Sequence, residues 1–488
     1  MAISDLSETA FGALGRVGAY MSDLATPTVR LGVTGLARSG KTIFITAFVR
    51  NLVAGGRLPF FGPAAERRIQ RAYLEPQPDD DVPRFAYEEH LACLATDPPV
   101  WPESTRHVSE LRVTIEYESR SVIRRRLGTG KLHVDIVDYP GEWLTDLPML
   151  DRPFADWSRE ALAQARDARR VDAATPFLAF LTGYRAKDPA DEQAAIEGAR
   201  LYTAYLKAAR AQSPADLTLG PGRFTMPGDH EGSPLLTFFP IDLDGDGGFA
   251  RGSFAAMMQR RYDAYRDRIV APFFRDHFAR LDRQIVLVDA LGALAAGPGA
   301  MRDLETSLAD VLRRFRPGAS SWLSVFLPRR IDRILFAATK ADHVHHTNHD
   351  RLEAALALLT RRASERAAHH GAEVRALALA ALQSTSEAEV VANGEALGCI
   401  VGTPLAGERI GRQLFDGRTA ARVFPGDLPT DIEALLTQPD GTGARDDLGL
   451  VRFRPARIAA DSGGGRPAPW PHIRLDRALD FLVGDRLA

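Results

Sequence analysis

Hydrophobic runs along the chain predict strands that alternate with helices. Three short runs, at residues 284–290, 334–338 and 374–379, contain few polar positions. Such runs are typical of strands that are buried on both faces of a parallel sheet. Apolar residues recur at helical spacing over 42–52 and 350–368. This alternation predicts an α/β fold with a doubly wound, mostly parallel sheet.

Three further strands are expected nearer the start of the chain. Residues 31–35 form a short apolar segment that leads into a glycine-rich loop, and residues 110–117 alternate between polar and apolar side chains. Strict alternation is typical of a half-buried strand. Residues 131–138 have a similar pattern and are predicted to form the neighbouring strand.

The middle of the chain has a helical pattern instead. Alanine and arginine dominate residues 158–170 and 191–211, and another helical pattern covers 254–281. A stretch rich in glycine and proline, at 213–248, interrupts them. We therefore expect a mainly helical insertion of about 130 residues within the sheet domain.

These patterns divide the chain into five predicted parts. We expect an N-terminal helix that packs on the body at 1–27, with a membrane or partner anchor as the alternative. The 55–104 segment is too long for a simple loop and should contain short helices, such as one near 85–95. The tail from Cys399 is expected to be irregular and to end in an amphipathic helix. The predicted parts are 1–27; 28–150, the first half of the sheet domain with the inserted segment 55–104; 151–283, the helical insertion; 284–398, the second half of the sheet domain; and 399–488, a C-terminal extension that packs on it.

Composition narrows the class of protein. The chain of 488 residues has 61 basic and 63 acidic side chains, so no overall field favours nucleic acid as a partner. Only Cys93 and Cys399 are present, which argues against a disulfide framework and favours a reducing cytoplasm. No signal peptide and no apolar run of transmembrane length is apparent. We expect a cytoplasmic protein, with peripheral attachment to a membrane as an option.

The first candidate site is the segment 35–42, which reads GLARSGKT. Four residues between the glycines allow successive backbone N–H groups to surround a β-phosphate. Lys41 would neutralise phosphate charge, Thr42 would offer a hydroxyl to Mg²⁺, and the following helix would direct its positive end at the anion. The candidate phosphate-binding residues are Gly35, Ala37, Arg38, Ser39, Gly40, Lys41 and Thr42.

A second group follows the strand at 131–138. Asp138, at its end, is placed to hold Mg²⁺, and Gly141 can donate its N–H to a γ-phosphate. Glu142 either orients the attacking water or only caps a helix. Thr105 is the candidate switch threonine that completes the Mg²⁺ site, although Ser104 or a plain turn would fit equally. The candidate catalytic residues are therefore Lys41, Thr105, Gly141 and Glu142, and the candidate metal ligands are Thr42, Thr105 and Asp138.

The third group, Thr339-Lys340-Ala341-Asp342, follows the apolar run at 334–338 and has the pattern of a guanine-recognition box. The Asp342 carboxylate can accept hydrogen bonds from N1–H and N2–H₂ of guanine, whereas adenine presents an acceptor at N1. A buried hydrogen-bonding site of this kind can reject the wrong base by about 10⁴-fold. Lys340 can lie along the base plane. A loop that begins at Leu382 is a weaker candidate for closing over the base.

Three other signals do not change this interpretation. An aspartate-rich turn at 242–247 lacks the glutamate that a calcium loop requires. Arginines around an apolar centre at 313–333 are read as part of a packed turn rather than as a membrane site. The histidines that follow Asp342 are expected to be exposed and not to bind metal. They are His343, His345, His346 and His349.

The motifs together resemble a known family. The loop GLARSGKT, the segment from Asp138 to Ser158, the strand at 284–290 and the segment RIDRILFAATKADHV are similar to the YcjX-like family of bacterial P-loop proteins. The resemblance covers nearly the whole chain. It implies a Ras-like GTP- and GDP-binding domain with a helical insertion, a role in stress response and a membrane-protein partner, with a peripheral position at the inner membrane as an option.

These observations lead to one hypothesis and two alternatives. The hypothesis is a GTPase switch that binds GTP or GDP with Mg²⁺ and hydrolyses GTP slowly. The alternatives are an ATPase, in which the match at 339–342 is accidental, and a nucleotide-bound scaffold that does not hydrolyse. An arginine that assists catalysis could be Arg38, Arg106 or Arg152, and the sequence does not choose among them.

Overall fold

The computed structural model describes most of the chain. The described residues are 26–35, 39–103, 107–121, 125–126, 128–212, 219–243, 249–312, 331–369, 371–392, 394–438, 448–457 and 468–488. The predicted N-terminal helix, most of the arginine-rich segment at 313–333 and the candidate residues Ala37, Arg38, Ser104, Thr105 and Arg106 lie outside these ranges.

The centre of the molecule is a seven-stranded sheet with the order β2-β3-β4-β1-β5-β6-β7. Strands β4, β1, β5, β6 and β7 are parallel, whereas β2 and β3 pair antiparallel at one edge. The strands are β1 (Thr28–Gly35), β2 (Ile69–Glu75), β3 (Ser109–Tyr117), β4 (Gly130–Asp138), β5 (Arg283–Val288), β6 (Arg333–Ala338) and β7 (Glu373–Ala378). The predicted α/β class with a mostly parallel sheet is confirmed, and β2 is an edge strand that the sequence patterns missed.

Helices cover both faces of this sheet. Alternate residues of β5 point to opposite faces of the sheet, and both faces are apolar. Ile285 and Leu287 pack into one hydrophobic cluster with the helix after β1. Val286 and Val288 pack into another cluster with the helix between β6 and β7. The α-helices are α1 (Lys41–Val53), α2 (Gly62–Ala65), α3 (Tyr87–Ala95), α4 (Phe154–Ala165), α5 (Val171–Leu181), α6 (Glu192–Gln212), α7 (Gly222–Thr225), α8 (Phe254–Tyr265), α9 (Ala271–Asp276), α10 (Ala290–Ala296), α11 (Pro298–Leu312), α12 (His349–His369), α13 (Ile432–Leu436) and α14 (Leu475–Val483). The final helix lies where the sequence predicts it.

Helices α4 to α9 gather around a hydrophobic cluster of their own. Aromatic rings fill it, and Trp157 alone packs against Tyr202, Phe238 and Tyr262. Val137 and Tyr139, at the end of β4, belong to the same cluster. That residues 151–283 form a separate inserted domain stays a prediction, which this cluster supports.

The tail is more regular than its composition suggests. Strands β8 (Ser386–Ala392), β9 (Glu395–Gly402) and β12 (Ala421–Val423) form a three-stranded antiparallel sheet, and β10 (Arg409–Ile410) pairs with β11 (Gln413–Leu414). The expectation of an irregular tail was therefore wrong for this part. The predicted boundary between 398 and 399 falls inside β9.

Among the described residues, no helix is both long enough and apolar enough to cross a lipid bilayer.

A buried carboxylate joins the end of β4 to the helical cluster. Asp146, which is 2% exposed, lies in a 3₁₀ segment at Gly141–Asp151. Its Oδ1 accepts from the N–H of Gly222 (2.6 Å) and its Oδ2 from the hydroxyl of Tyr265 (2.7 Å). Burial outweighs these bonds and raises the pKa of Asp146 to about 6.

This raised pKa predicts a pH-dependent contribution to stability. Because the pKa of Asp146 in the folded protein, about 6, exceeds the ordinary value of 3.8, its contribution is greatest at low pH. This contribution is lost as the pH rises from the ordinary pKa of 3.8 through the raised pKa of about 6. We expect the free energy of unfolding of the wild type, relative to Asp146→Asn, to fall by up to about 3 kcal/mol between pH 4 and pH 7. Denaturant titration at each pH measures it.

The exposed Asp172 on α5 provides the matched control. Asp172→Asn should follow the wild-type stability across the same pH range. If the Asp146→Asn and wild-type curves instead run parallel, Asp146 does not titrate in this window.

Candidate functional site

The candidate site lies at the edge of the sheet where the parallel strands end. In the sheet, β2, β3 and β4 lie on one side of β1, and β5, β6 and β7 lie on the other side. The strand order therefore reverses between β1 and β5. Open α/β sheets bind ligands at such a reversal, outside the carboxyl ends of the strands. The three sequence motifs follow β1, β4 and β6, which all end at this edge.

The two described ends of the loop after β1, Gly35 and Gly40, are glycines in positions that suit an anion site. Gly40 precedes α1 with φ of 89°, a left-handed conformation that glycine adopts without strain. The first N–H groups of α1 have no acceptor within the helix and point toward the loop. Gly35 is required for space, since a Cβ there would lie 2.3 Å from Ser39 Oγ and 2.7 Å from the carbonyl oxygen of Leu287.

The side chains of this loop are buried. Lys41 is 7% exposed, and its ammonium donates to the carbonyl of Gly35 at 2.9 Å, so it is folded over the loop. Thr42 is 8% exposed. The hydroxyl of Ser39 is buried without a hydrogen-bond partner among the described residues. An unpartnered buried hydroxyl costs stability, and it points to a polar ligand at this loop.

The residues after β4 lie beside this loop in the sheet. Asp138 is the last residue of β4, is fully buried and pairs in register with Val33 of β1. Gly141 and Glu142 begin the 3₁₀ segment, and Glu142 is 8% exposed. The structure thus brings Asp138 and the phosphate loop onto adjacent parallel strands.

The residues after β6 form a second buried group. Asp342 is 5% exposed, and its Oδ2 accepts from the N–H of Ser384 at 2.8 Å. Its Oδ1 accepts no hydrogen bond from the described residues. The hydroxyl of Thr385 donates to the carbonyl of Asp342, and the hydroxyl of Ser384 is buried without a partner in the described part of the chain. The loop after β7 therefore docks on Asp342 and leaves polar groups there for a ligand.

Leu382, the first residue of the candidate closing loop, is 4% exposed and packs into a hydrophobic cluster with residues of β1 and α1. Ser384 and Thr385 of the same loop contact Asp342. That this loop closes over a base stays a prediction. Of the arginines considered, Arg152 pairs with Glu160 at 2.8 Å.

The chain matches one known protein family along most of its length. The family described as "YcjX-like family, DUF463" matches residues 29–487. The chain belongs to this family. A curated relative from Escherichia coli (strain K12), named "Ras-like GTPase YcjX", is 38% identical over 471 residues, which cover 94% of this chain and 96% of that protein. A relative of the same name from Shewanella oneidensis is 32% identical over 479 residues, with 94% of each chain covered.

Asp289, which the motif analysis missed, lies against Lys340 of the candidate site. It follows β5 directly, its Oδ1 caps α10 by accepting from Gly292 N–H at 3.0 Å, and its Oδ2 pairs with the ammonium of Lys340. Lys340 has a left-handed backbone (φ 63°) that directs it back toward β5. An aspartate at the end of a buried strand, as at Asp138, was the available signal.

Arg223 is a second residue near the candidate site that the motif analysis did not identify. Its guanidinium lies 3.6 Å from the centre of the Trp143 ring, in the 3₁₀ segment after β4. The side chain is 6% exposed, and burial lowers its pKa below the usual value. Nothing in the local sequence indicates this contact, because the two residues are 80 positions apart.

The histidines after Asp342 are not all exposed, contrary to expectation. His345 and His349 are 5% and 6% exposed, and His349 Nε2 lies 2.9 Å from the carbonyl oxygen of Ala341. The local sequence did not reveal the burial of His345, because its ring packs against Gly398 of β9, far along the chain. His346 is exposed.

Proposed function

We propose that this protein binds GTP and GDP with Mg²⁺, hydrolyses GTP slowly and acts as a nucleotide-dependent switch. One observation carries the proposal: the loop after β1, the buried Asp138 and the buried Asp342 lie at or after the ends of three strands that end at one edge of the sheet, at its point of reversal. The names of the two relatives support it. A role in stress response, a membrane-associated protein partner and a location at the inner membrane remain predictions from family resemblance.

The phosphate end of the nucleotide fits the loop after β1. The positive end of α1, the N–H groups at its start and the ammonium of Lys41 would all face the phosphates. The buried hydroxyl of Ser39 gains a partner when they bind. We assign Gly35, Ser39, Gly40, Lys41 and Thr42 to this role, together with Ala37 and Arg38 from outside the described residues.

The donor set also suits Mg²⁺, which prefers oxygen ligands. The Thr42 hydroxyl and the Asp138 carboxylate would hold the ion, with Thr105 as a further candidate outside the described residues. When bound, Mg²⁺ neutralises phosphate charge during transfer to water.

At the other end of the site, Asp342 would read the base. Ser384 occupies one oxygen of its carboxylate, so the other remains for the N1–H and N2–H₂ donors of guanine. Thr339 is 7% exposed and its hydroxyl donates to the carbonyl of Val288 at 3.3 Å, which anchors the start of this motif. Asp289 holds Lys340 in place alongside.

Hydrolysis would depend on the residues after β4. Gly141 can donate its backbone N–H to the γ-phosphate, and Glu142 can accept a proton from, and so orient, the attacking water. These roles are assigned from position. The backbone of Glu142 is held in place by its contact with Gly222. The carbonyl oxygen of Glu142 packs so closely on Gly222 that a Cβ at Gly222 would lie 1.8 Å from it.

This contact would couple the nucleotide to the helices. Gly222 donates to Asp146, Arg223 lies on Trp143, and Tyr202 of α6 donates to the carbonyl of Gly220 at 2.8 Å. A displacement of Gly141 when the γ-phosphate is lost would therefore move residues 219–226 and reach α6. The helical region would report the nucleotide state through this segment.

Nucleotide selectivity separates the proposal from an ATPase. At a hundred times its dissociation constant a ligand adds about 2.7 kcal/mol to stability. We expect GDP with Mg²⁺ to raise the melting temperature and ADP to leave it unchanged, as measured by thermal unfolding. Lys41→Ala should abolish the GDP shift, whereas Lys207→Ala, which removes an exposed lysine from α6, should retain it. Equal shifts with ADP and GDP would favour the ATPase.

The base reader can be tested by a single substitution. In Asp342→Asn the amide oxygen can still accept from Ser384, while its NH₂ faces the base and donates where the carboxylate accepted. We expect GDP affinity to fall by at least about 10³-fold and xanthosine diphosphate to become the preferred ligand. Competition binding with both nucleotides measures the exchange.

The control for this exchange is Asp350→Asn, which makes the same chemical change at a side chain that is 91% exposed. It should keep the preference for GDP. Unchanged guanine selectivity in Asp342→Asn would show that another residue reads the base.

Phosphate release separates a GTPase from a scaffold that does not hydrolyse. We expect slow release from the wild type under single-turnover conditions, and a rate at least about tenfold lower in Glu142→Ala because the water loses its orienting group. GDP affinity should be equal in both. No release from nucleotide-bound wild type would favour the scaffold, and an unchanged rate in Glu142→Ala would leave Glu142 with a structural role alone.

A further inference from the structure

Three side chains next to the base-reading segment converge on one point. His345 and His346 follow Asp342 closely, and Glu387 comes from β8, directly after the loop that docks on Asp342. One ligand atom from each lies within 4.8 Å of the other two. Among the described residues, these three are the only group of histidine, cysteine, aspartate or glutamate side chains that meets this spacing.

Both imidazoles approach the same carboxylate oxygen. His346 Nδ1 lies 2.7 Å and His345 Nε2 lies 3.8 Å from Glu387 Oε2. Four ligands at 2.0–2.1 Å from a tetrahedral zinc ion are about 3.3 Å apart. The observed distances lie on either side of this value, so shifts of about half an ångström would bring both nitrogens to the spacing that a zinc ion requires.

The ligands are also held in place by their surroundings. His345 is 5% exposed, its Nδ1 lies 3.0 Å from the hydroxyl of Thr347, and its ring packs on Gly398, where a Cβ would be 2.7 Å from Cγ. The other oxygen of Glu387 accepts from the backbone N–H of His346 at 2.7 Å. Metal-binding histidines typically have a partner of this kind on the second ring nitrogen, which fixes the ring orientation.

Glu387 supplies a carboxylate oxygen beside the two ring nitrogens. Two nitrogens and one oxygen match the His₂Glu ligand set of zinc sites that keep one position open. Imidazole does not suit Mg²⁺ or Ca²⁺, which take oxygen ligands.

We propose that His345, His346 and Glu387 form a binding site for one divalent transition metal of the zinc class, with a fourth position open to water. The ion would fasten the turn after Asp342 to β8. Because the three ligands come together only in the folded protein, metal binding would stabilise this part of the molecule. The site does not depend on the proposed nucleotide activity.

The test is titration of the full chain, without a histidine tag, with Zn²⁺ and with Co²⁺ in the presence of excess Mg²⁺. We expect one equivalent to bind, and the Co²⁺ spectrum to show nitrogen and oxygen ligands without a thiolate charge-transfer band from Cys93 or Cys399. The primary variants are His346→Ala, at an exposed ring, and Glu387→Gln, which keeps the acceptor for the backbone of His346. Each should lower Zn²⁺ affinity by at least about tenfold.

Two further variants make the test specific. Thr347→Val, which removes the partner of His345 Nδ1, should weaken binding by about tenfold. His369→Ala, which removes an exposed histidine from the end of α12, should bind like the wild type. Circular dichroism shows that each variant is folded. Wild-type affinity in both His346→Ala and Glu387→Gln, a thiolate band with Co²⁺, or displacement by Mg²⁺ would each overturn the proposal and leave a hydrogen-bonded contact between the turn and β8.

Discussion

The position of β1 between β4 and β5 is the constraint on which the rest of the molecule depends. Backbone hydrogen bonds on both sides place Val33 beside Asp138 and Gly35 beside Leu287. A slip of one residue would move Leu31 and Val33 to the opposite face of the sheet and shift the loop after β1 relative to Asp138. Burial of these apolar residues thus sets the position of the charged ones.

Placing polar groups at this edge costs stability when no ligand is bound. The hydroxyls of Ser39 and Ser384 are buried without partners among the described residues, and each costs about 1–3 kcal/mol. Lys41 and Lys340 reduce their own cost by binding the Gly35 carbonyl and Asp289. The polar groups of the site are therefore in position before a ligand binds, and this lowers the stability of the folded protein. A polar ligand would restore that stability on binding.

Local signals were sufficient for much of the fold and of the candidate site. The strands of the main sheet other than β2 and the helices α1 and α12 follow from the runs and the periodicity of their apolar residues. Motif spacing identified Lys41, Asp138 and Asp342 as candidates, since their motifs lie at or shortly after the end of a strand. The strand β2 was missed because only Ala72 in it is fully buried, which leaves a weak pattern at the sheet edge.

What the sequence could not show depends on contacts between distant segments. The contact of Arg223 with Trp143, the pairing of Lys340 with Asp289 and the burial of His345 under Gly398 all join residues more than 50 positions apart. Periodicity describes only the face of one element and cannot identify its neighbour. The histidines were expected to be exposed for this reason, since β8 and β9 that cover them are far along the chain.

The two ends of the site are connected to different parts of the molecule, which has a consequence for signalling. The 3₁₀ segment after β4 contacts residues 219–226 through Gly222, so the phosphate end connects to the helices. The segment after Asp342 contacts β8 through Glu387, so the base end connects to the small sheet of the tail. A nucleoside diphosphate and a triphosphate share the base and differ at the γ-phosphate. Under the proposed function, the helical region would distinguish the two nucleotides, whereas the tail would sense only whether the base is bound.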